Sequence, residues 1–175
     1  MSELEALVEP FGVHAVARVA LVAARISVAL YDAPEVRSSA GTILGPAEAW
    51  LRSPSARLAR NCAEVYRFSY ILAAEVGDAY PASEWWNCEF VEALGLIPGA
   101  IALQEGTLVP DGDIAGPPTD ELWATVAYFA RMPSNRERVD RQVTGPAVDA
   151  LIAWSRGEAD PATRRWRWAN CAPRP

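Results

Sequence analysis

Apolar positions along this chain follow the spacing of α-helices, and the residues between them are mostly helix caps and helix breakers. Residues 12–31 are apolar around most of a helical circumference, and Pro34 closes the segment. A second long segment begins at Ser53, whose side chain suits an N-cap, and extends to Gly77, which suits the turn that ends a helix. Both patterns predict long helices.

Shorter helical segments occupy much of the remaining chain, and a loop is expected between the first two helices, at residues 33–45. The pattern changes over residues 96–118, which contain four prolines and several glycines. This Pro/Gly-rich insertion is interpreted as a small β-hairpin over residues 101–109, turning at Glu105-Gly106, or as a packed irregular loop. The other predicted helices cover about residues 46–51, 83–95, 119–132, 146–156 and 161–170.

This succession of segments predicts an all-α fold, namely a bundle of five to seven helices. A chain of 175 residues with 51% hydrophobic residues is large enough to form one domain with a substantial core. The chain contains no internal repeat, no low-complexity tract and no clear linker. We therefore predict a single helical domain over residues 1–175, with the insertion inside it.

The basic residues are all arginines, because the chain contains no lysine, and there is one histidine. Lysine-based catalysis and lysine-based phosphate loops are therefore excluded. The net charge of −6 disfavours a general nucleic-acid binder, since attraction to phosphate supplies most non-specific affinity. The three cysteines, Cys62, Cys88 and Cys171, match no zinc-binding spacing, and we expect neither a metal nor a cofactor.

The N-terminal sequence is acidic and lacks the basic start of a signal peptide. The longest apolar stretch, residues 13–30, is interrupted by Arg18 and Arg25, and each of these charges is costly inside a bilayer. We therefore expect a cytoplasmic protein without a membrane span.

A polar stripe on the first long helix is the first candidate site. His14, Arg18 and Arg25 fall on one narrow side of an otherwise apolar helix. The two arginines suit a carboxylate or phosphate ligand, and His14 suits an acid or base near neutral pH. The favoured alternative is structural, with the stripe solvated or its arginines paired with glutamates elsewhere in the fold.

The second long helix carries a polar face with Arg60, Glu64 and Arg67. If this face met the first stripe, the two helices would enclose a basic pocket in which Glu64 is the only acid. Ordinary ion pairing along one exposed helix face is the favoured interpretation, because such pairs are common and contribute little.

Aromatic and basic residues alternate near the C-terminus. Residues 156–175 have a net charge of +3 and residues 1–155 a net charge of −9. This segment is a candidate partner-binding site, although we favour its docking on the acidic body of its own chain. Five other tryptophans are expected to fill the core: Trp50, Trp85, Trp86, Trp123 and Trp154. Adjacent Trp85 and Trp86 point about 100° apart and are not expected to share one surface, and the alternative is that one tryptophan lines a ligand pocket or a partner surface. The residues of the C-terminal candidate are Arg164, Arg165, Trp166, Arg167 and Trp168.

Two classes of function fit these features. The favoured class is a small acidic interaction protein, such as an accessory, inhibitor or immunity-like protein that binds a protein partner. The alternative is a small-molecule binder or small enzyme, with Arg18, Arg25, Arg60 and Arg67 holding an anion and His14 or Glu64 moving a proton. Homo-oligomerisation is left open, and a partner surface would require an exposed apolar patch.

Overall fold

The computed structural model describes residues 2–31, 33–110, 114 and 116–131, and within these ranges the protein is all-α, as predicted. They contain six α-helices, two short 3-10 helices and no strand. The helices expected at about residues 146–156 and 161–170 lie outside the described ranges. The α-helices are α1 (Ser2–Val8), α2 (Val13–Leu30), α3 (Pro34–Arg52), α4 (Ala56–Ala79), α5 (Trp86–Gln104) and α6 (Pro118–Arg131); the 3-10 helices are Glu9–Phe11 and Ala82–Glu84.

Helix α2 lies at the centre of the bundle, as its nearly complete apolar circumference predicts. It packs against α3, α5 and α6, and most of its residues are buried in the common core. Among the described helices, α2 is the one long and apolar enough to cross a membrane by length and composition. Buried core helices of soluble proteins and signal sequences share these properties.

The loop expected at residues 33–45 is wrong, because α3 is a continuous helix from Pro34 to Arg52. Pro34 occupies the first turn, where its missing N–H would have no helical partner. Pro46 lies inside the helix, which costs about 3 kcal/mol in an isolated helix. The buried side chains recur at helical spacing along α3, so core packing offsets that cost; they are Val36, Ala40, Ile43, Leu44, Ala47, Trp50 and Leu51.

Helix α4 begins two residues later than predicted. Its N-cap is Ser55, whose Oγ accepts a hydrogen bond from the Leu58 backbone N–H at 3.3 Å. The helix also continues past Gly77 to Ala79. Position 77 requires glycine inside the helix, because it lies against Cys88 of α5 and a Cβ there would come within 2.7 Å of the thiol sulfur.

The hairpin expected at residues 101–109 is also wrong, because α5 passes through Pro98 and ends at Gln104. Gly106, which follows the C-cap residue Glu105, has a φ of +66° and forms the left-handed turn that ends this helix. Its N–H donates to the Leu103 carbonyl at 3.1 Å, and the Thr107 N–H donates to the Ala102 carbonyl at 2.9 Å. Gly106, which was predicted to lie in the turn between two strands, therefore lies in the turn that ends a helix.

Helices α4 and α5 form a closely packed antiparallel pair. A Cβ added to Gly95 would lie 2.2 Å from the Ser69 Oγ, and one added to Gly99 would lie 2.7 Å from the Tyr66 ring. At the far end of the pair, the Thr107 hydroxyl donates to the Ala59 carbonyl at 3.1 Å. This register fixes the position of the 3-10 helix Ala82–Glu84, which joins the two helices.

Candidate functional site

Arg18 is buried inside the core of the bundle. Its side chain lies in the middle of α2, and the residue is only 5% exposed. Burial lowers the pKa of its guanidinium group to about 10, because the charged form is poorly solvated there. Arg18 therefore belongs to the interior of the fold and is not presented to solvent.

His14 packs one turn before Arg18. Its ring meets the buried Trp50 edge to face, with the ring centroids 4.1 Å apart. Partial burial lowers the pKa of His14 below its usual value of 6.5, and the nearby charge of Arg18 lowers it further. His14 is therefore kept neutral near pH 7 in the folded protein.

Arg25 forms an ion pair with Glu48 of α3. The Glu48 Oε1 lies 2.5 Å from Nη2 of Arg25 and accepts a hydrogen bond from its Nε at 2.6 Å. Both side chains are largely covered, with 30% of Arg25 and 12% of Glu48 exposed. The pair joins α2 to α3, which matches the structural alternative for this stripe, but the sequence did not identify Glu48 as the partner.

The three candidate site residues predicted on α4 do not lie beside the polar stripe of α2. Arg60, Glu64 and Arg67 are exposed on its outer face. Helices α3 and α5 each pack against both α2 and α4, whereas α2 and α4 share no extensive contact. Within the described ranges, the arginines of the two helices therefore do not line a common pocket.

The single histidine allows a direct test of its environment. Because the folded-state pKa of His14 lies below 6.5, the unfolded chain binds a proton first as the pH falls. His14 therefore stabilises the fold at pH 7.5, and this contribution is lost as the pH falls below 6.5. We expect thermal unfolding of the wild type to shift to lower temperature between pH 7.5 and 5.5, and to shift less in His14→Gln. An equal shift in both proteins would contradict this assignment.

The C-terminal candidate (Arg164, Arg165, Trp166, Arg167 and Trp168) lies outside the described residues. Trp154, which was expected in the core, also lies outside them. Of the other four tryptophans, Trp50 and Trp123 are buried as predicted.

Trp85 and Trp86 are exposed, and the prediction that they fill the core is wrong. Trp85 is 61% exposed and Trp86 is 46% exposed. They lie where the 3-10 helix Ala82–Glu84 joins α5, at the end of the bundle where α4 also finishes. We call this region the acidic-aromatic end and define it by Glu35, Tyr80, Glu84, Trp85 and Trp86.

Hydrogen bonds hold the acidic-aromatic end in place from below. The Tyr31 hydroxyl, at the end of α2, donates to the Asn87 Oδ1 at 2.9 Å. The buried Asn87 amide in turn donates to Glu84 at 3.4 Å. On the neighbouring edge, the Tyr80 hydroxyl donates to Glu35 at the start of α3. The first two hydrogen bonds join the end of α2 to the start of α5 and to the 3-10 helix before it, and the third joins the end of α4 to the start of α3.

Negative charge surrounds these aromatic rings. The pKa of Tyr31 is raised to about 12, mainly by burial and in addition by the charges of Tyr80, Glu84 and Glu89. The hydrogen bond to Glu35 raises the pKa of Tyr80 to about 12, and Arg37 opposes the shift. The potential at this end therefore favours cations over anions.

A shallow groove between α3 and α4 continues from Glu35. Its volume is about 260 Å³. Two carboxylates and three hydroxyl groups line its sides, and two aliphatic side chains form the remainder. The lining residues are Glu35, Ser38, Ser39, Thr42, Leu72, Glu75 and Val76.

Comparison with known proteins finds no matching family model, no matching curated protein and no matching solved structure. Function must therefore be argued from the chain itself. In the part that the structure describes, no three His, Cys, Asp or Glu side chains are grouped as metal ligands. The adjacent tryptophans, followed by Asn87 and Glu89, were visible in the sequence, but their exposure depends on the α4–α5 turn.

Proposed function

We propose that this protein is a small acidic interaction protein that binds a basic surface of a protein partner through its acidic-aromatic end. One observation carries the proposal, namely the exposure of the adjacent Trp85 and Trp86 while Trp50 and Trp123 are buried. A tryptophan side chain buries 150–250 Å² when covered, so leaving two of them in water forgoes substantial stabilisation. Tryptophan is enriched among the residues that dominate binding energy at protein interfaces.

Charge supports a basic partner. Glu35, Glu84 and Glu89 act on Tyr31 and Tyr80 at this end of the bundle, and the whole chain has a net charge of −6. A partner arginine or lysine placed over an indole face would gain a cation–π interaction and a nearby carboxylate. Opposite net charges would also accelerate the encounter. An accessory, inhibitor or immunity-like role in the cytoplasm is the setting we propose.

The alternative of an anion-binding protein or small enzyme has less support. Glu48 already neutralises Arg25, and Arg60 and Arg67 face solvent on a different helix. Native mass spectrometry of the protein recovered from its own source cells tests this alternative. A small bound mass that is lost in Arg18→Ala/Arg25→Ala would favour it.

Recovery of the tagged protein from its own source cells, followed by native mass spectrometry, tests the proposed function. We expect the wild type to retain a protein partner and Trp85→Ala/Trp86→Ala to lose it. Loss of one central tryptophan typically costs at least about 2 kcal/mol, so we expect the affinity of the double variant to fall by at least about 30-fold.

Val109→Ala is the matched control, because it removes an exposed apolar side chain beyond the opposite end of α5. We expect this variant to retain the partner. Partner retention by Trp85→Ala/Trp86→Ala, or recovery of the wild type without a partner, would contradict the proposal.

A further inference from the structure

The charged side chains on the outer face of α4 are ordered so that the face would complement a copy of itself running in the opposite direction. Its N-terminal end is basic, its middle carries Glu64 and two apolar side chains, and its C-terminal end is acidic. The two apolar side chains are unusually exposed, Phe68 at 42% and Ile71 at 54%. In chain order, the residues of this face are Arg57, Arg60, Glu64, Phe68, Ile71, Glu75 and Asp78, all of them exposed.

These seven residues lie on one side of the helix. They are separated by steps that keep them within a band of about 80° at 100° per residue. The opposite side of α4 packs against α3 and α5. The outer face is therefore a continuous surface about 32 Å long, from Arg57 to Asp78, at 1.5 Å per residue.

We propose that this face binds a second copy of the same chain, with the two α4 helices antiparallel about a twofold axis. In this arrangement Arg57 of one copy faces Asp78 of the other, and Arg60 faces Glu75. The symmetry repeats both pairs on the opposite side of the axis, which gives four ion pairs. A parallel arrangement would instead place the arginines against arginines.

The centre of the contact combines Glu64 with the two apolar side chains of each copy. The axis passes between positions 67 and 68, which brings the Phe68 rings of the two copies close together on one edge of the contact. Each Ile71 lies beside Glu64 of the other copy, and Glu64 keeps Arg60 and Arg67 within reach on its own helix. Covering Phe68 and Ile71 supplies the hydrophobic contribution.

The arrangement of charge favours a second copy over an unrelated partner. A wholly acidic partner would be repelled by Glu75 and Asp78, and a wholly basic partner by Arg57 and Arg60. Because the contact consists of a single helix pair, we expect a dissociation constant on the order of micromolar. This inference concerns a different surface from the acidic-aromatic end and stands independently of the partner proposed there.

Analytical ultracentrifugation of the purified full-length protein tests the inference with two charge-reversed variants. Arg57→Glu/Arg60→Glu makes both ends of the face acidic, and Glu75→Arg/Asp78→Arg makes both ends basic. We expect the wild type to dimerise at concentrations up to about 100 µM. Each variant alone should dimerise at least tenfold more weakly, because its face repels a second copy of itself.

An equimolar mixture of the two variants should recover the dimer, because each acidic half then meets a basic half. All four substitutions are at exposed positions, and circular dichroism checks that each variant is folded. Three outcomes would overturn the inference: a wild type that stays monomeric, a mixture that stays monomeric, or a dimer that neither variant weakens.

Discussion

Replacing Trp50 by alanine is expected to lower the free energy of unfolding by about 3–5 kcal/mol, the usual cost of removing a large buried aromatic side chain. Trp50 is only 1% exposed and fills the core beneath α2, where it meets the ring of His14. In a protein of this size the melting temperature should fall by roughly 6–20 °C. Thermal unfolding followed by circular dichroism measures this shift.

Two controls make the test specific. Trp50→Phe should cost much less than Trp50→Ala, because it keeps an aromatic ring against His14. It also removes an indole N–H that, in the part of the chain the structure describes, is buried without a hydrogen-bond partner. Trp85→Ala/Trp86→Ala should change the free energy of unfolding by less than about 1 kcal/mol, because both rings are exposed. A Trp50→Ala cost below about 1 kcal/mol would contradict the packing described.

Replacing Gly95 by alanine is expected to destabilise the protein by about 1–3 kcal/mol, although alanine normally stabilises a helix interior relative to glycine by about 1 kcal/mol. The added Cβ would lie 2.2 Å from the Ser69 Oγ and 2.7 Å from its Cβ. The α4–α5 pair would have to separate to accept it. We expect the melting temperature to fall by roughly 2–12 °C.

Gly41→Ala is the matched control for this substitution. Gly41 lies on the exposed side of α3, and a Cβ there would meet nothing within 4 Å. This variant should be stabilised by about 0.5–1 kcal/mol. Adding Ser69→Gly to Gly95→Ala removes both clashing atoms and should cost less than the two single effects combined. Equal effects at Gly41 and Gly95 would show that the helices are not in close contact.

The helical class and the central position of α2 could be predicted because they depend on local periodicity. An apolar circumference over residues 12–31 leaves few options other than burial. The same reasoning failed at Pro46, which was predicted to begin a helix, and at Gly95 and Pro98, which were predicted to end one; all three lie inside continuous helices. Local propensity is a weak constraint, and the buried face of α3 and the almost fully buried α5 outweigh it.

The candidate site was harder to predict, because it depends on which helices become neighbours. The stripe of His14, Arg18 and Arg25 was visible in the sequence, but the partner of Arg25 is Glu48, 23 residues away on α3. The exposure of Trp85 follows from a turn whose position the α4–α5 register determines. The periodicity of side chains within one helix reveals neither the Arg25–Glu48 pair nor the exposure of Trp85.

The central claim is that a basic partner binds the acidic-aromatic end, and carbodiimide cross-linking of the complex recovered from cells tests it most directly. Because the chain contains no lysine, a reagent that joins carboxylates to amines links this protein to lysines of its partner, with its own N-terminal amine the sole exception. We predict cross-links from Glu35, Glu84 or Glu89 to partner lysines. Cross-links confined to carboxylates elsewhere, such as Glu64 or Asp120, would contradict the account.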